Sequence, residues 1–393
     1  MTPKAIIEFH FRSSVLFLIF LLAGFQLSDI YAQSESETGR YKSISIKGLS
    51  GAHLYTGQDL LEKINYGYGA LDIRFAWHPH KDNQWTRDTG YASYGFGYYT
   101  STIGDPQVFG NPHALYAFAN FFLSKPYRRN VLEISPALGL TYNLEPFDEQ
   151  SNPLNDAIGA RMAVYFNVSF GAAYKLNREI DLLYGIDFTH YSNGRTYTPN
   201  YGLNLFGLNL GMRYHFNQEQ RDLDRDPYTT NVVPSRFQRP ERPASLPYDF
   251  DHSVDIYAAA GTVQNYIDQG TDLRYGTFSG VIDYRRYFNR MHGLTLGVDL
   301  FYDASLVESF PDSADHYLIG VHGGYDFMFW KFDIRVQVGT YLTDNREKGT
   351  LFIRPALQYE ISKSLFAQFG LKTRNGAGAD WIEVGFGWKP FKW

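Results

Sequence analysis

Residues 132–142 read LEISPALGLTY, and this stretch decides the fold class. Its leucine, isoleucine, proline and tyrosine residues alternate with glutamate, serine, alanine, glycine and threonine. Alternation with a period of two is the pattern of a β-strand whose two faces differ. One face here is apolar, whereas the other carries small residues, glycine and charge. An apolar outer face over a packed or wet inner face is typical of a barrel in a membrane.

The same alternation recurs along both halves of the chain. It is present at residues 71–78, 161–170, 332–339 and 382–389. We count about sixteen candidate strands of roughly 9 to 14 residues, the length that a tilted strand needs to cross a bilayer. Short turns and long polar loops tend to alternate between the strands, as they do at the two rims of bacterial barrels. These features predict an all-β, antiparallel transmembrane β-barrel of the outer membrane.

Two arrangements of these strands fit the sequence. Residues 217–249 are polar, proline-containing and charge-dense, which is typical of a linker. Just before them, residues 207–216 (GLNLGMRYHF) resemble the last strand of a barrel, so the chain could form two tandem eight-stranded barrels. We favour a single barrel of about sixteen strands, because one closed sheet leaves no unpaired edge.

The predicted organisation has four segments. Residues 1–32 resemble a cleaved secretory signal peptide, with a positive flank, an apolar core and a small residue at the cleavage site. Residues 33–216 would form the first eight strands and 217–249 a polar periplasmic linker. Residues 250–393 would form a second set of about eight strands that ends in aromatic residues.

Composition excludes several other classes of protein. The chain has 393 residues, no cysteine and a net charge of -5. The absence of cysteine excludes a disulfide scaffold, a thiolate metal site and a cysteine nucleophile. The mild charge does not favour nucleic acid as a partner. The scattered histidines lack metal-ligand spacing, so we expect neither a metal nor another cofactor.

The stretch that could carry chemistry is 184–216, YGIDFTHYSNGRTYTPNYGLNLFGLNLGMRYHF. By strand parity, His190 and Ser192 belong to the apolar, lipid-facing side at the outer end of their strand. A hairpin centred on Tyr197 would pair His190 with Asn204, with Cβ atoms about 5 Å apart. A serine, a histidine and a third, orienting group within hydrogen-bond reach can carry out nucleophilic acyl transfer.

Three neighbouring residues could complete this site. The side chain of Asn193, and the backbone amides of Asn193 and Gly194, could stabilise an oxyanion. Arg195 could bind a phosphate group of the substrate. From spacing alone, a polar barrel rim is the simpler interpretation, because Ser-Asn-Gly is also ordinary turn chemistry.

The runs HYSNG at 190–194 and PNYGLN at 199–204 resemble the signature of the outer-membrane lipid A 3-O-deacylases of the PagL type. Members of that family are eight-stranded, acyloxyacyl hydrolase-like barrels. They hydrolyse an ester-linked acyl chain of lipid A in the outer leaflet. The resemblance is specific over the hairpin and general over residues 41–216, and it does not extend to 217–393.

The resemblance implies a role for each hairpin residue. His190 would be the general base, Ser192 the nucleophile and Asn193 part of the oxyanion hole. The acid of the family motif falls on Asn204, which can orient a histidine but cannot stabilise the imidazolium with a full charge. The implied partner is lipid A or lipopolysaccharide of the outer leaflet, whose phosphate Arg195 could bind.

The leading hypothesis is an outer-membrane serine esterase that hydrolyses an ester-linked acyl chain of lipid A or a related outer-leaflet lipid. The alternative is a non-enzymatic channel or structural barrel with a decayed site. A third is an adhesive or receptor barrel that acts through its loops. A polar, open lumen would favour the channel, whereas a plugged lumen with a serine–histidine contact outside it would favour the esterase.

Overall fold

The computed structural model describes residues 40–61, 64–79, 88–125, 128–177, 179–216, 250–376 and 378–393. The predicted signal peptide at 1–32 and the predicted linker at 217–249 lie outside these residues. No helix in the described ranges is long and apolar enough to cross a membrane.

Sixteen strands follow one another in the described part of the chain. The first eight are β1 (Arg40–His53), β2 (Gly67–Pro79), β3 (Ser93–Ile103), β4 (Gly110–Phe122), β5 (Asn130–Leu144), β6 (Ala163–Lys175), β7 (Ile180–Ser192) and β8 (Leu203–Phe216). The other eight are β9 (His252–Val263), β10 (Tyr275–Tyr287), β11 (His292–Asp303), β12 (Tyr317–Phe329), β13 (Phe332–Tyr341), β14 (Leu351–Glu360), β15 (Leu365–Arg374) and β16 (Gly378–Lys392). A short helix, α1 (Pro106–Phe109), lies in the loop before β4.

Each set of eight strands closes on itself. Antiparallel pairs run in chain order from β1 to β8, and β8 pairs back to β1 from Lys42↔Phe216 to His53↔Leu205. The second set runs in the same way from β9 to β16, and β16 pairs back to β9 from Val384↔Ala260 to Lys392↔Ser253. The protein therefore consists of two closed eight-stranded barrels in tandem.

The predicted all-β, antiparallel barrel class is confirmed, and its tandem form is the correct one. The single larger barrel is wrong. Avoiding an unpaired edge does not distinguish the two arrangements, because each set of eight strands closes without an edge of its own. Eight strands also enclose an interior of a size that side chains can fill.

The faces of the strands follow the alternation in the sequence. In β13, Val336 is 44% exposed, whereas Gln337 is 0% exposed. In β2, Leu71 is exposed while Asp72 and Arg74 are buried. Apolar side chains therefore form the outer surface and polar ones fill the interior, as a barrel in a membrane requires.

Paired charges fill both interiors. In the first barrel, Lys47 and Arg74 lie 3.2 and 2.8 Å from Asp72. In the second, Arg335 lies 2.7 Å from Asp283, and both side chains are 0% exposed. A buried charge is tolerated only with such a partner, because losing it leaves an uncompensated ion in a low-dielectric interior. The charges on these inward faces are therefore paired.

An apolar cap closes the first barrel at the end that carries its long loops. Leu60, Phe109 and Ile158 come from three different loops and are almost wholly buried. They pack in one cluster with Tyr99 and Tyr191 of the barrel wall. The cap separates the charged interior from the outer side of the membrane, so the first barrel is plugged.

Candidate active site

The β7–β8 hairpin brings His190 and Asn204 together. The two residues are directly opposite in the strand register, as predicted. His190 Nδ1 lies 2.7 Å from Asn204 Oδ1. Because an amide oxygen only accepts, Nδ1 donates the hydrogen bond and Nε2 keeps its lone pair. The imidazole is therefore held in the tautomer that a general base requires.

His190 lies on the predicted face of β7. His190 shares the outward side of β7 with the exposed residues Tyr184 and Ile186, whereas Asp187 and Tyr191 are buried in the interior. The His190 side chain is thus reached from outside the barrel wall and not through the lumen.

Gly202 is needed where the loop passes the imidazole. Its φ of +82° lies in the left-handed region that favours glycine. A Cβ atom built there would lie 2.8 Å from His190 Cε1 and 3.2 Å from the Tyr191 carbonyl oxygen. Any other residue at this position would displace the imidazole ring.

Ser192 ends β7 and is 6% exposed. Its Oγ accepts hydrogen bonds from the Gly194 amide at 3.2 Å and from Asn200 Nδ2 at 2.9 Å. Two donors aimed at one oxygen favour negative charge at that point. The site therefore has a serine whose surroundings suit the charge that develops during acyl transfer.

No hydrogen bond joins His190 to Ser192 within the described ranges, so the predicted contact is not formed. The two residues are two positions apart on one strand, where successive side chains of a face are about 6.6 Å apart along the chain. Catalytic hydrogen bonds are often long without substrate and shorten in the complex.

The contacts of Asn193 differ from those that the predicted oxyanion hole requires. Its backbone amide donates to Asn200 Oδ1 at 3.2 Å, and its side-chain amide donates to the Tyr197 carbonyl at 3.1 Å. These bonds hold the loop in shape instead of facing Ser192. The predicted Gly194 amide does face Ser192.

Asn200 is the residue that the predicted site lacks. It is part of the PNYGLN run, and its side chain reaches Ser192 across the loop. Its place in the PNYGLN motif, two residues before Gly202, could have identified it from the sequence. Alternation could not identify it, because residue 200 lies in the loop and not in a strand.

Arg195 points into the second barrel and not towards a substrate. Arg195 is 7% exposed. Nη2 lies 3.3 Å from Asp380 Oδ1 and 3.6 Å from Asp303 Oδ2, and Nε donates to the Asp380 carbonyl at 3.0 Å. Because two carboxylates already hold the guanidinium, the predicted contact with a substrate phosphate is not retained.

Two family models match the chain. The model for lipid A 3-O-deacylase (PagL) matches residues 67–213. The model for the acyloxyacyl hydrolase C-terminal domain matches residues 252–393. The chain belongs to the PagL family. The predicted family is confirmed, and the likeness also covers the second barrel, which the resemblance in the sequence did not reach.

Membership of the PagL family establishes the general class of the protein. It is an outer-membrane β-barrel protein from a family of hydrolases that act on lipid A. A comparison with curated proteins gives no match. Among the described residues, no group of three or more histidine, aspartate or glutamate side chains could hold a metal ion.

Solved outer-membrane structures are similar to the chain at low identity. Neisserial surface protein A is 11% identical with a TM-score of 0.30, and the match covers 46% of this chain and 100% of that one. Omp33 of Acinetobacter baumannii is 8% identical with a TM-score of 0.16, covering 91% and 100%. The P. putida toluene transporter TodX is 8% identical with a TM-score of 0.17, covering 91% of each chain. The strand pairings, and not these scores, define the fold.

Proposed function

We propose that the protein is an outer-membrane serine esterase that removes an ester-linked acyl chain from lipid A. Ser192 is the nucleophile and His190 the general base. The observation that supports this most is the pair of donors on Ser192 Oγ, at 3.2 and 2.9 Å, beside an imidazole oriented by Asn204. Membership of a family of lipid A deacylases supplies the substrate class.

The proposed reaction has two steps that share one base. Ser192 Oγ attacks the ester carbonyl carbon while His190 Nε2 takes the hydroxyl proton. As the bond between the carbonyl carbon and the sugar oxygen breaks, the imidazolium returns that proton to the sugar oxygen. Water then attacks the acyl-serine, giving one proton to His190, and the fatty acid leaves as Ser192 regains its proton.

We assign the Gly194 amide and the Asn200 side chain to the oxyanion of the tetrahedral intermediate. Both already donate to Ser192 Oγ, and in the intermediate the oxyanion is bonded to the carbon that Oγ attacks. A small shift would move either donor from one oxygen to the other. Removing a donor of this kind typically lowers kcat on the order of 100- to 1000-fold.

The surroundings of the site support entry of substrate from the outer leaflet. His190 is on the outward face of β7, at the end of the barrel that carries the long loops. The interior behind it is filled with paired charges, and the mouth is capped by apolar residues. The plugged first barrel gives no support to the channel alternative.

Single substitutions test the proposal directly. Ser192→Ala and His190→Ala should each abolish release of fatty acid from lipid A. The double variant should be no worse than either, because residues that act as a unit are strongly non-additive. Both variants should keep a folded barrel, seen as altered migration on unheated gels. Release is measured by mass spectrometry of lipid A in mixed micelles.

His113→Ala is the matched control, because His113 also lies on the outward face of the first barrel near its outer end. Its Nδ1 is 2.7 Å from the Tyr98 hydroxyl oxygen and it has no contact with Ser192. This variant should keep wild-type activity. If wild type and Ser192→Ala leave lipid A and a panel of other ester lipids equally intact, a structural barrel replaces the esterase.

A further inference from the structure

The loop that joins β7 to β8, residues 193–202, is bound by the second barrel; we call it the site loop. Gln264, which follows β9 and is fully buried, makes three of the contacts. Its side-chain oxygen accepts from the Thr198 amide at 2.7 Å and from the Thr198 hydroxyl at 3.0 Å. Its backbone amide donates to the Arg195 carbonyl at 2.9 Å. One residue of the second barrel thus holds two points of the site loop.

Arg195 provides a charged anchor. Its guanidinium enters a buried cluster at the outer end of the second barrel, where Asp380 and Asp303 also bind Lys348 at 2.8 and 2.6 Å. Ser305 Oγ, 3.5 Å from Nη2, is a further partner. Because a buried ion pair is strongly disrupted when one partner is removed, the cluster fixes the position of residue 195 in the site loop.

Gly194 lies directly against the wall of the second barrel. A Cβ atom built on it would be 2.2 Å from Ile382 Cγ1, and its φ is +62°. This is the residue whose amide donates to Ser192 Oγ. The direction of that amide therefore depends on where Ile382 and Arg195 hold the chain.

The first barrel supports the site loop from its other side. In the loop between β5 and β6, the Ala157 carbonyl accepts a hydrogen bond from the Gly202 amide at 2.8 Å. Gly159 of the same loop has no room for a side chain, because a Cβ atom there would lie 2.8 Å from the Pro199 carbonyl oxygen. The site loop is thus held between the two barrels.

We propose that the second barrel is a scaffold for catalysis, and that Arg195 and Gln264 are positioning residues that keep the Gly194 amide and Asn200 directed at Ser192. The inference rests on the proposed function, because the geometry it preserves is that of the proposed oxyanion donors. Displacing a reacting group by 1 Å can cost on the order of 100-fold in rate. An anchor on the neighbouring residue is therefore expected to act on kcat.

The test compares full-length variants at the two anchors. Arg195→Asn removes the guanidinium but tolerates the positive φ of 62° at this position. Gln264→Ala removes the acceptor for Thr198. Each variant should lower kcat about 10- to 100-fold with little change in KM, because the substrate contacts remain while the geometry at the reacting atoms is lost. Arg195→Lys, which keeps the charge but not the donor to the Asp380 carbonyl, should fall between Arg195→Asn and wild type.

Arg346→Asn is the control for Arg195→Asn. Arg346 also has a positive φ, 50°, and also binds two carboxylates, those of Asp315 and Asp344, at the outer end of the second barrel. It has no contact with the site loop. Its loss should leave kcat unchanged, which separates positioning from general stabilisation of the second barrel.

Hydrogen exchange of the site-loop amides gives a readout that does not depend on activity. The Thr198 amide is bound to Gln264 and the Gly194 amide to Ser192. Both should exchange faster in Arg195→Asn and Gln264→Ala, and at the wild-type rate in Arg346→Asn. Unchanged exchange in the first two variants would overturn the anchoring of the loop, whether or not the protein is active.

The kinetic outcomes separate the two proposals. Wild type that is inactive on all ester lipids overturns the esterase. Active wild type with unchanged kcat in both anchor variants overturns the scaffold alone. A raised KM with unchanged kcat in Arg195→Asn would mean that Arg195 binds substrate, which also overturns its role as a positioning residue.

Discussion

At the scale of single residues, Asn204 is the departure from the family motif that matters most. Its amide oxygen meets His190 Nδ1 at 2.7 Å, so it can fix the tautomer of the imidazole as well as a carboxylate would. It carries no charge, and it therefore gives less stabilisation to the imidazolium that forms during attack. Orientation and charge, which a carboxylate supplies together, are separated at this position.

Substitutions at Asn204 should resolve the two contributions. Asn204→Ala removes the acceptor for Nδ1 and should lower kcat about 10- to 100-fold, since a mispositioned base loses much of its effect. Asn204→Glu should keep or raise kcat, because a carboxylate adds charge stabilisation to orientation. Initial rates of fatty acid release over a range of substrate concentrations give both kinetic constants.

Asn130→Ala is the control for Asn204→Ala. Asn130 also binds the ring of an outward-facing residue, because its side-chain amide donates to the Tyr184 hydroxyl at 2.8 Å, but it lies at the other end of the first barrel. This variant should have the wild-type kcat. If neither substitution at Asn204 changed the rate, Asn204 would not belong to the catalytic site.

At the scale of strands and loops, the sequence predicts a contact between two side chains when both belong to the same hairpin, and not when they belong to different barrels. His190 and Asn204 belong to adjacent strands of one hairpin, so parity alone places them opposite each other. The partners of Arg195 are Asp303 and Asp380, which are more distant in the sequence and lie in another barrel. No periodic pattern connects them, and Arg195 in isolation looked like a surface cation.

The outward face of β13 gives a prediction for strand stability. Val336 lies near the middle of the strand and is 44% exposed on the outer surface. Val336→Lys should lower the free energy of unfolding by about 2–4 kcal/mol, the cost of a cation at the mid-depth of the bilayer. Denaturant unfolding in lipid vesicles measures this change.

Thr340→Lys is the appropriate comparison, because residue 340 is on the same face near the outer end of the same strand. There a lysine should cost only about 0–1 kcal/mol relative to Thr340→Ala. Thr340→Ala is the reference because it accounts for the lost hydrogen bond from the Thr340 hydroxyl to the Thr350 carbonyl at 2.7 Å. Equal costs at the two positions would contradict the depth that we assign to Val336. Gln337 is unsuitable, since its side-chain oxygen accepts from Arg354 Nε at 2.6 Å and a lysine would break that bond.

At the scale of the whole molecule, strand number could be predicted and closure could not. Alternation defines the two faces of each strand. It does not define which strand pairs with the first one to close the sheet. Both β8 and β16 alternate in the same way, and the choice of partner for β1 is made by register and barrel geometry. The sequence therefore predicts the tandem arrangement only as an alternative to a single barrel of about sixteen strands.

Because each barrel closes separately, the two strands that pair at each closure are closer in the sequence than the first and last strands of a single sixteen-stranded barrel would be. The closing pairs join Phe216 to Lys42 and Lys392 to Ser253, so neither spans more than half of the chain. Each doubling of such a segment adds about 0.6 kcal/mol of closure entropy, and pairs that are far apart in sequence form slowly. The first barrel can close while the second is still unpaired.

An order of events follows for a newly made chain. Closure of the first barrel assembles Ser192, His190 and Asn204, but the site loop still lacks Gln264 and the carboxylates that hold Arg195. During refolding into vesicles, we expect a first heat-resistant species without esterase activity, and activity only after the second closure. Gel migration and hydrolysis of an activated ester, followed in the same samples, would show this lag; full activity in the first species would contradict it. A hydrolase that becomes active only after the second closure cannot cleave the lipids around it before its own assembly is finished.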